Sequence, residues 1–375
     1  MKKSKIAIVG SGPAALMAAS VLCGLTTEIH LFEQKKRAGS KLLVAGHGGF
    51  NLTHSREKMF EEYRNIPQES LKQMQKFSNQ DFIQFLNENL GIETFKGTSN
   101  RIFPIKDLTP AHVVNCWTKH LIEKGVQFNY FSKIEKLLEL EYDFTILALG
   151  GKSWSKTGSD GNWLTYFHKN EIAIEDFQSS NAGYCVEWST LIERKEIKFV
   201  RIHSKSFSMK GDIMCDSNLI EGTPIYASNI AFRKKEDLFI DFKPENTQEE
   251  IFNKINKQRN STTGLKALKL SSLSIKLIQS QTSKQEYSDP WKLAKIIKNF
   301  LLPIKSLNPL EEAISSHGGV KFEELTDSFE LKKFPNVYCI GEMVDWDAPT
   351  GGYLIQGCVS QGYAAAKNIQ DKLTH

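Results

Sequence analysis

A glycine turn near the N-terminus constrains the fold of this chain more than any other feature. The apolar run from Lys5 to Val9 leads into GSGPAA at residues 10 to 15, a G-x-G-x-x-A pattern. In such a turn the first glycine makes the bend, the second lets the backbone approach a diphosphate, and the small third residue lets the helix pack on the strand. The sequence therefore predicts a buried strand of a parallel sheet, a dinucleotide-binding turn and a helix.

The same region also has the composition of a secretory signal peptide. The basic start MKKSK is followed by an apolar run that contains small residues. A signal peptide and a buried strand, turn and helix look alike by composition. The placement of the glycines and the strand that follows favour the dinucleotide-binding turn.

A second predicted strand, Glu28 to Phe32, ends in an acidic residue. Glu33 lies 23 residues after Gly10 (33 − 10), close to the distance at which an acidic residue binds the adenosine ribose of a dinucleotide. An acid at this position disfavours a 2′-phosphate. The pattern therefore favours NAD or FAD over NADP.

The rest of the chain favours FAD over NAD. After Glu33 the chain continues into a basic, glycine-rich stretch that reaches GHGGFNLTH at 46 to 54, where a nicotinamide dehydrogenase normally repeats strand and helix. Two further apolar strands end in small residues, one within residues 144 to 151 and one within 336 to 345. We expect the last strand to place Asp345 at a polyol chain. The Gly351-Gly352 step before the final helix is expected to bring backbone N–H groups to the diphosphate and to the reduced flavin.

Composition and cysteine placement exclude several function classes. The 375 residues are 40% hydrophobic and 24% charged, which is typical of a folded globular protein. The six cysteines form no C-x-x-C pair, so neither a metal site nor a redox dithiol is predicted, and reduced thiols in the cytoplasm fit best. No other run approaches the roughly 18 apolar residues of a membrane span.

The distribution of basic residues along the sequence does not indicate a nucleic-acid partner. The formal net charge is +5, and lysines are densest from Lys254 to Lys305, above helical apolar spacing. We interpret this stretch as a solvated helical face. A nucleic-acid or acidic-membrane dock is the alternative, and it would require a tighter patch of one sign.

The middle of the chain has a different pattern of apolar residues from its two ends. Residues 183 to 242 contain short apolar strands, and residues 247 to 302 have amphipathic helical spacing with few glycines. We predict an α/β FAD-binding Rossmann-like fold, of the two-dinucleotide-binding-domain type, with an inserted β domain and a small helical subdomain. The predicted boundaries are 1–182, 183–246, 247–309 and 310–375. Such an insertion is expected to cover the flavin and to form the substrate pocket.

Six motifs along the chain resemble one bacterial flavoprotein family. They are GSGPAAL (10–16), KLLVAGHGGFNLTHS (41–55), NRIFPIK (100–106), ILALGGKSWSKTGSDG (146–161), AISSHGGV (313–320) and GEMVDWDAPTGGYLIQGCVSQGYAA (341–365). The chain resembles the FAD-binding enzymes named for aminoacetone oxidase, a branch of the fumarate-reductase-like and bile-acid-reductase-like flavoproteins. The wider group usually has G-G-R-C-N where this chain has Gly48-Gly49-Phe50-Asn51, so any role of that arginine and cysteine is absent. Ser40 stands where an arginine is common.

The resemblance implies non-covalent FAD binding. The glycine turn would hold the diphosphate, Glu33 the adenosine ribose and Asp345 the ribityl chain, with Tyr353 near the flavin. The predicted cofactor-binding residues are Gly10, Gly12, Pro13, Ala14, Ala15, Glu33, Gln34, Lys41, Leu43, Gly46, Asn51, Ile134, Ala148, Gly150, Gly341, Glu342, Asp345, Gly351, Gly352, Tyr353 and Gln356.

The predicted chemistry is hydride transfer between a small organic substrate, such as an amine, and flavin N5, with reoxidation by dioxygen or another acceptor. His47 and Tyr353 are the candidate catalytic residues, and Asp347 also lies near the expected flavin edge. The chain has no second G-x-G-x-x-G turn for a resident nicotinamide, but NAD(P)H could bind transiently. Two alternatives therefore stay open: an NAD(P)H-dependent reductase of an unsaturated substrate, and a flavin-binding sensor or interaction protein without catalysis.

Overall fold

The structure is a computed structural model that describes residues 3–25, 27–44, 49–97, 99–105, 109–190 and 192–374. The chain divides into two compact units. Unit 1 comprises Met1–Gln178 and Ser315–His375, and unit 2 comprises Ser179–Ile314.

Strands and helices alternate through the N-terminal half of the chain, and helices cluster before the C-terminal strands. The strands are β1 (Ser4–Val9), β2 (Thr27–Phe32), β3 (Thr53–His54), β4 (Thr94–Lys96), β5 (Arg101–Pro104), β6 (Gln127–Asn129), β7 (Phe144–Leu147), β8 (Ile174–Ser180), β9 (Tyr184–Val186), β10 (Lys195–His203), β11 (Ser208–Cys215), β12 (Leu219–Glu221), β13 (Phe239–Asp241), β14 (Phe300–Leu301), β15 (Ile304–Leu307), β16 (Ser315–Val320) and β17 (Val337–Cys339). The helices are α1 (Pro13–Leu22), α2 (Ser40–Val44), α3 (Gln68–Gln75), α4 (Asn79–Leu90), α5 (Pro110–Glu123), α6 (Leu164–Lys169), α7 (Thr223–Ala227), α8 (Asn229–Arg233), α9 (Gln248–Asn256), α10 (Ser261–Ala267), α11 (Ser272–Gln281), α12 (Lys284–Ser288), α13 (Pro290–Lys298) and α14 (Tyr353–Thr374).

A parallel sheet with the strand order β17-β7-β1-β2-β6 forms the centre of unit 1. Ile6, Ala7 and Ile8 of β1 are fully buried, as expected for a central strand covered on both faces. From β1 the chain moves to β2 on one side and later to β7 on the other, so the winding direction reverses at β1. In open α/β sheets ligands bind at such a switch point, outside the carboxyl ends of the strands.

Two helices from opposite ends of unit 1 pack closely against each other. Helix α1 follows the glycine turn, and α14 is the C-terminal helix. A Cβ atom at Gly362 of α14 would overlap the carbonyl oxygen of Ala14 in α1, so the absence of a side chain permits the close approach. The packing brings the C-terminal segment to the dinucleotide-binding turn, as the Rossmann-like prediction requires.

Unit 1 also contains an antiparallel sheet with the order β3-β5-β4 and a pairing of β8 with β16. The strand β3 forms the end of the basic, glycine-rich loop that follows Glu33 in the sequence. Of that loop, residues 45–48 fall outside the described part of the chain, and this gap includes the predicted residues Gly46 and His47.

Unit 2 is an antiparallel sheet with helices packed on it. Its strand order is β14-β13-β10-β11-β12-β9-β15, with an irregularity in the register of β10 between Ile197 and Val200. Helices α9, α10, α11 and α13 bury apolar residues in the same core as the strands, and α12 packs the partly buried Tyr287 against that core. Sequence analysis divided this region into a β domain and a helical subdomain at residues 246/247. The structure instead has one compact unit, because β14 and β15 return from the helices to the two edges of the sheet.

Among the described helices, none is both long and apolar enough to cross a membrane. The fold class is the predicted one: an α/β Rossmann-like domain with a parallel sheet, interrupted in sequence by a largely antiparallel unit.

Candidate FAD site

A cavity of about 300 Å³ lies in unit 1 at the carboxyl ends of β1, β2, β7 and β17. Loops that follow four separate strands therefore converge on one space, at the switch point of the sheet. Many of the predicted cofactor-binding residues line it. They are Gly10, Gly12, Pro13, Ala14, Glu33, Gln34, Lys41, Ile134, Ala148, Gly150, Gly341 and Glu342.

The two glycines of the turn serve different purposes. Gly10 has φ = +102°, and a Cβ atom there would overlap the carbonyl oxygen of Ala148, so this glycine lets two backbone segments pass each other. No protein atom lies within 4 Å of the position of a Cβ atom at Gly12. Gly12 is also the N-cap of α1, and because glycine has no side chain, the helix N-terminus has no side-chain cap. The open space at Gly12 fits a diphosphate that approaches the helix N-terminus.

The carboxylate of Glu33 is held in place at the end of β2. One of its oxygens accepts a hydrogen bond from the hydroxyl of Ser11, and the other accepts one from the backbone N–H of Lys35 at 2.7 Å. The Ser11 hydroxyl oxygen in turn accepts a hydrogen bond from the N–H of Gly39 at 3.2 Å. Because Glu33 lines the cavity and is only 8% exposed, it is positioned to accept hydrogen bonds from a ribose.

A half-buried ion pair connects three segments beside the cavity. The Nζ atom of Lys41 lies 2.7 Å from an oxygen of Glu342, and it also donates a hydrogen bond to the hydroxyl of Ser153 at 2.7 Å. The pair links α2, the loop after β7 and the turn after β17. Glu342 is therefore the acidic residue that the C-terminal strand brings to the cavity.

Asp345, our predicted ribityl-chain residue, lies beside His317 of β16. It is not among the described residues that line the cavity. Its backbone N–H donates to the carbonyl oxygen of Val320, and its Oδ1 atom lies 3.5 Å from Nδ1 of His317, with no hydrogen bond to either atom among the described residues. Burial raises the pKa of Asp345, and His317 lowers it in part. The turn Gly341–Met343 places Glu342 at the cavity, and the chain then pairs with β16 through a bridge between Val344 and Val320.

The Gly351-Gly352 step supports close backbone packing. Gly352 has φ = +96°, and a Cβ atom there would overlap the carbonyl oxygen of Thr53. The hydroxyl of Thr53 donates to Oε1 of Gln356 at 2.6 Å, and the Gln356 amide donates to the carbonyl oxygen of Phe77 at 3.2 Å. Gln356 is fully buried, and its side chain joins α14 to β3 and to the turn between α3 and α4. These two roles were not predicted from sequence.

Tyr353 lies in an aromatic cluster next to that step. Its ring centroid is 4.9 Å from that of His54, and its carbonyl oxygen accepts a hydrogen bond from the Tyr63 hydroxyl at 2.8 Å. Burial raises the pKa of the Tyr353 hydroxyl, whereas the positive charges of Arg56 and Arg101 lower it in part. The phenol therefore stays protonated at neutral pH. Burial also lowers the pKa of His54, which favours a neutral imidazole.

Four more of the predicted cofactor-binding residues lie near the cavity in sequence but do not line it. Ala15 is buried in α1, and Leu43 is half-buried on α2. Asn51 is half-buried just before β3, and Gly351 is next to Arg101, whose Nε atom would lie 3.1 Å from a Cβ atom at that glycine. These residues are not among those that line the cavity.

The loop after β7 contributes cavity residues that sequence analysis did not single out. The hydroxyl of Ser159 lines the cavity, is buried, and has no hydrogen-bond partner among the described residues. Nearby, Gln34 donates from Nε2 to the carbonyl oxygen of Gly158 at 2.8 Å, and Trp163 donates from Nε1 to that of Gly150 at 3.2 Å. An unpaired buried hydroxyl is costly unless a ligand pairs with it. The motif at 146–161 was a signal for this loop, but it did not identify the serine.

The thiol that lines the cavity is not activated. Burial raises the pKa of the Cys358 thiol at the cavity wall, so it stays protonated. Within the described part of the chain, no cluster of three or more His, Cys, Asp and Glu side chains could hold a metal ion. Taken with the open glycine, the fixed carboxylate and the unpaired hydroxyl, the site fits an extended dinucleotide.

Comparison with known proteins gives the family. Residues 4–368 match the model of the HI0933-like protein Rossmann domain. The chain is 22% identical over 413 residues to a 3-dehydro-bile acid delta(4,6)-reductase of Clostridium scindens, and the match covers 98% of this chain and all of that protein. It is 20% identical over 400 residues to a ribosomal RNA dihydrouridine synthase of Escherichia coli, covering 98% of each.

Two solved structures have a similar fold. A 3-ketosteroid delta1-dehydrogenase from Sterolibacterium denitrificans has a TM-score of 0.54 at 11% identity, and the match covers 99% of this chain and all of that one. The Sdh1 complex of Mycobacterium smegmatis has a TM-score of 0.53 at 10% identity, covering all of this chain and 69% of that one. The chain belongs to the HI0933-like Rossmann-domain family and is an FAD-dependent oxidoreductase.

Proposed function

We propose that this enzyme reduces a carbon–carbon double bond that is conjugated with a carbonyl group. The full-length match to two named relatives is the observation that carries this proposal. One is named for the reduction of delta(4,6) double bonds in 3-dehydro bile acids, and the other for the formation of dihydrouridine in ribosomal RNA. Both names describe reduction of a ring double bond, although the substrates differ greatly in size and charge. Among our sequence-based alternatives, this favours the reductase of an unsaturated substrate over the amine oxidase.

Bound FAD would supply the two-electron chemistry. The protein would hold it along the cavity, with Gly12 and the N-terminus of α1 at the diphosphate and Glu33 at the adenosine ribose. The Ser159 hydroxyl and the pair of Lys41 with Glu342 would provide further hydrogen bonds along the cofactor.

Reduction of a conjugated double bond requires a proton as well as a hydride. The hydride is added to the carbon farther from the carbonyl group, and a proton is added to the neighbouring carbon, so atoms and charge balance. Tyr353 is our candidate donor, because burial keeps its hydroxyl protonated and Arg56 and Arg101 can stabilise the phenolate that donation leaves. His47, our other candidate, lies outside the described residues.

An anaerobic assay tests the proposal. The FAD-loaded protein is reduced, mixed with a conjugated enone, and followed by the absorbance of oxidised flavin; the saturated ketone of the same skeleton is the control. We expect the enone to restore the absorbance of oxidised flavin and the saturated ketone to leave it low. Reduction of the oxidised enzyme by amines, together with no response of the reduced enzyme to enones, would instead establish an amine oxidase.

A phenylalanine variant examines the proton donor. Tyr353→Phe keeps the ring against His54 but removes the acidic hydroxyl. General acid catalysis contributes roughly 10² to 10⁴ in rate, so we expect enone reduction to slow by about that factor while flavin reduction by the electron donor is unchanged. Equal slowing of both half-reactions would show that Tyr353 only supports the structure.

A further inference from the structure

The positive charge of this protein is concentrated in one segment. Residues 251 to 298 contain ten Lys or Arg residues but two Asp or Glu residues, a formal net charge of +8, whereas the whole chain has +5. The rest of the chain is therefore slightly acidic, at −3. The segment spans most of helices α9 to α13 of unit 2, and the structure describes all of it.

The helices use their apolar residues for the core and leave the basic ones outside. Ile251 and Ile255 of α9, Leu277 of α11 and Leu293 and Ile297 of α13 are among the buried residues of the unit 2 core. Nine of the ten basic residues are exposed, and the tenth, which lies in α13, is half-buried. We call the exposed Lys and Arg side chains of residues 251 to 298 the basic helical surface.

The two acidic residues of the segment are engaged at helix N-termini. Glu286 forms a capping box with Ser283 at the start of α12. Asp289 is the N-cap of α13 and accepts hydrogen bonds from the N–H groups of Trp291 and Lys292. Asp289 also pairs with Lys292 at 4.0 Å, and Lys298 pairs with Asp241 at 2.6 Å. Within the described part of the chain, no ion pair is formed by Lys254, Lys257, Arg259, Lys266, Lys269, Lys284 or Lys295.

Part of this charge is concentrated tightly enough to be unfavourable. The pKa of Lys243 is lowered first by burial and then by the positive charges of Lys254 and Lys269. Lys254 of α9 and Lys269, which follows α10, therefore lie close enough to Lys243 to repel its ammonium group. A bound polyanion would relieve this repulsion.

An exposed aromatic ring lies beside the lysines of α13. The side chain of Trp291 is 46% exposed, and its ring packs edge-on against Phe252 at a centroid distance of 5.3 Å. The next residue, Lys292, and Lys295 on the same helix are exposed. Unpaired bases of single-stranded nucleic acids stack on such rings while lysines contact the phosphates.

We propose that the basic helical surface binds single-stranded RNA. The surface recognises phosphates, and the choice of RNA rests on the proposed function, because uracil contains a double bond conjugated with a carbonyl group. An anionic membrane is a weaker match, since membrane-binding helices expose a broad apolar face, whereas here the apolar faces are buried in the core. This inference replaces our expectation from sequence that nucleic acid is not a partner.

Fluorescence anisotropy with a labelled uridine-rich RNA single strand and the FAD-loaded protein tests the proposal. The double variant Lys254→Gln/Lys269→Gln removes two charges of the surface, and Lys119→Gln/Lys169→Gln removes two exposed lysines of unit 1 as a matched control. We expect the first pair to weaken binding at least about tenfold and to reduce the slope of log K against log salt by about 0.7 for each lost phosphate contact. The control pair should change neither.

Further measurements distinguish the ways in which the RNA-binding proposal could fail. Trp291→Ala should weaken RNA binding about fivefold or more because the ring stacks on a base. A far-UV circular dichroism spectrum and a denaturant unfolding midpoint equal to those of the parent protein show that unit 2 of each variant is folded. Equal weakening by the control pair, absence of RNA binding at roughly physiological salt, or binding of phosphatidylserine vesicles in place of RNA would each overturn the proposal. The enone assay on the same variants is independent, so a failure of RNA binding with intact enone reduction leaves the proposed function standing.

Discussion

At the scale of single residues, the two glycines of the N-terminal turn look alike in sequence but differ in the structure. Gly10 has a left-handed φ and lies against the Ala148 carbonyl, whereas Gly12 has an ordinary φ of −74° and faces open space. One glycine is therefore required by the fold, and the other by what binds there.

Alanine at these two positions should separate folding from cofactor binding. Gly10→Ala adds both left-handed strain and an overlap, so we expect a loss of about 2 to 4 kcal/mol in the free energy of unfolding of the apoprotein. Gly12→Ala should leave that free energy nearly unchanged and weaken FAD binding at least about tenfold. Denaturant unfolding and FAD titration measure the two effects. If Gly12→Ala bound FAD normally, the diphosphate would have to lie elsewhere.

The half-buried carboxylate of Asp345 should make the free energy of unfolding depend on pH. Burial raises its pKa in the folded state above the ordinary value of 3.8, so between those two pKa values the folded protein binds more protons than the unfolded chain. Stability contributed by this group therefore falls as pH rises through that window. We expect Asp345→Asn to be more stable than the parent protein at neutral pH and equal to it below about pH 4. A less stable variant at neutral pH would show that an ion pair with His317 outweighs the burial.

At the scale of elements, the contact between α1 and α14 determines whether the C-terminal segment reaches the cavity. Helix α14 is buried along most of its length, and Gly362 lies against the backbone of α1. The N–H of Gly341, just after β17, donates to the side chain of Gln361 on α14 at 2.8 Å. The two helices and the last strand therefore form a single support for the loops around the cavity.

A methyl group at this helix contact should loosen the support. Gly362→Ala would force α1 and α14 apart, and we expect a loss of about 1 to 3 kcal/mol in the free energy of unfolding together with weaker FAD binding. Asp371→Ala, on the exposed side of α14, is the control and should change neither by more than about 0.5 kcal/mol. The readout is denaturant unfolding with and without FAD. Unchanged FAD affinity in a destabilised Gly362→Ala protein would separate helix packing from the site.

At the scale of the whole molecule, the residues that line the cavity all belong to unit 1, and the basic helical surface belongs to unit 2. The two units also have separate hydrophobic cores. Each core can therefore respond to its own ligand.

Cofactor binding should stabilise the two units unequally. At a free FAD concentration 100 times its dissociation constant, binding adds about 2.7 kcal/mol to the stability of the state that binds it. We expect hydrogen exchange measured by mass spectrometry to slow in β1, α1, β7 and α14 of unit 1, with little change in β10 to β13 of unit 2. Equal slowing throughout unit 2 would mean that the chain unfolds as one cooperative body.

The first strand, the glycine turn and Glu33 could be predicted from the sequence because they are local. Strand, turn and helix depend on residues a few positions apart, and the distance from Gly10 to Glu33 spans one β-α-β unit. The same reasoning applies to the apolar strands β7 and β17 and to the motif that contains Glu342. The fold class and the cofactor therefore followed from the sequence.

Only the tertiary structure shows which distant segments of the chain make contact. A Cβ atom at position 352 would overlap the backbone of Thr53, so a glycine is required there. The turn after β17 brings Glu342, not Asp345, to the cavity. Two strands that return after five helices make unit 2 a single body. Each of these outcomes depends on contacts between segments that are far apart in the sequence, and the local spacing of residues does not determine such contacts.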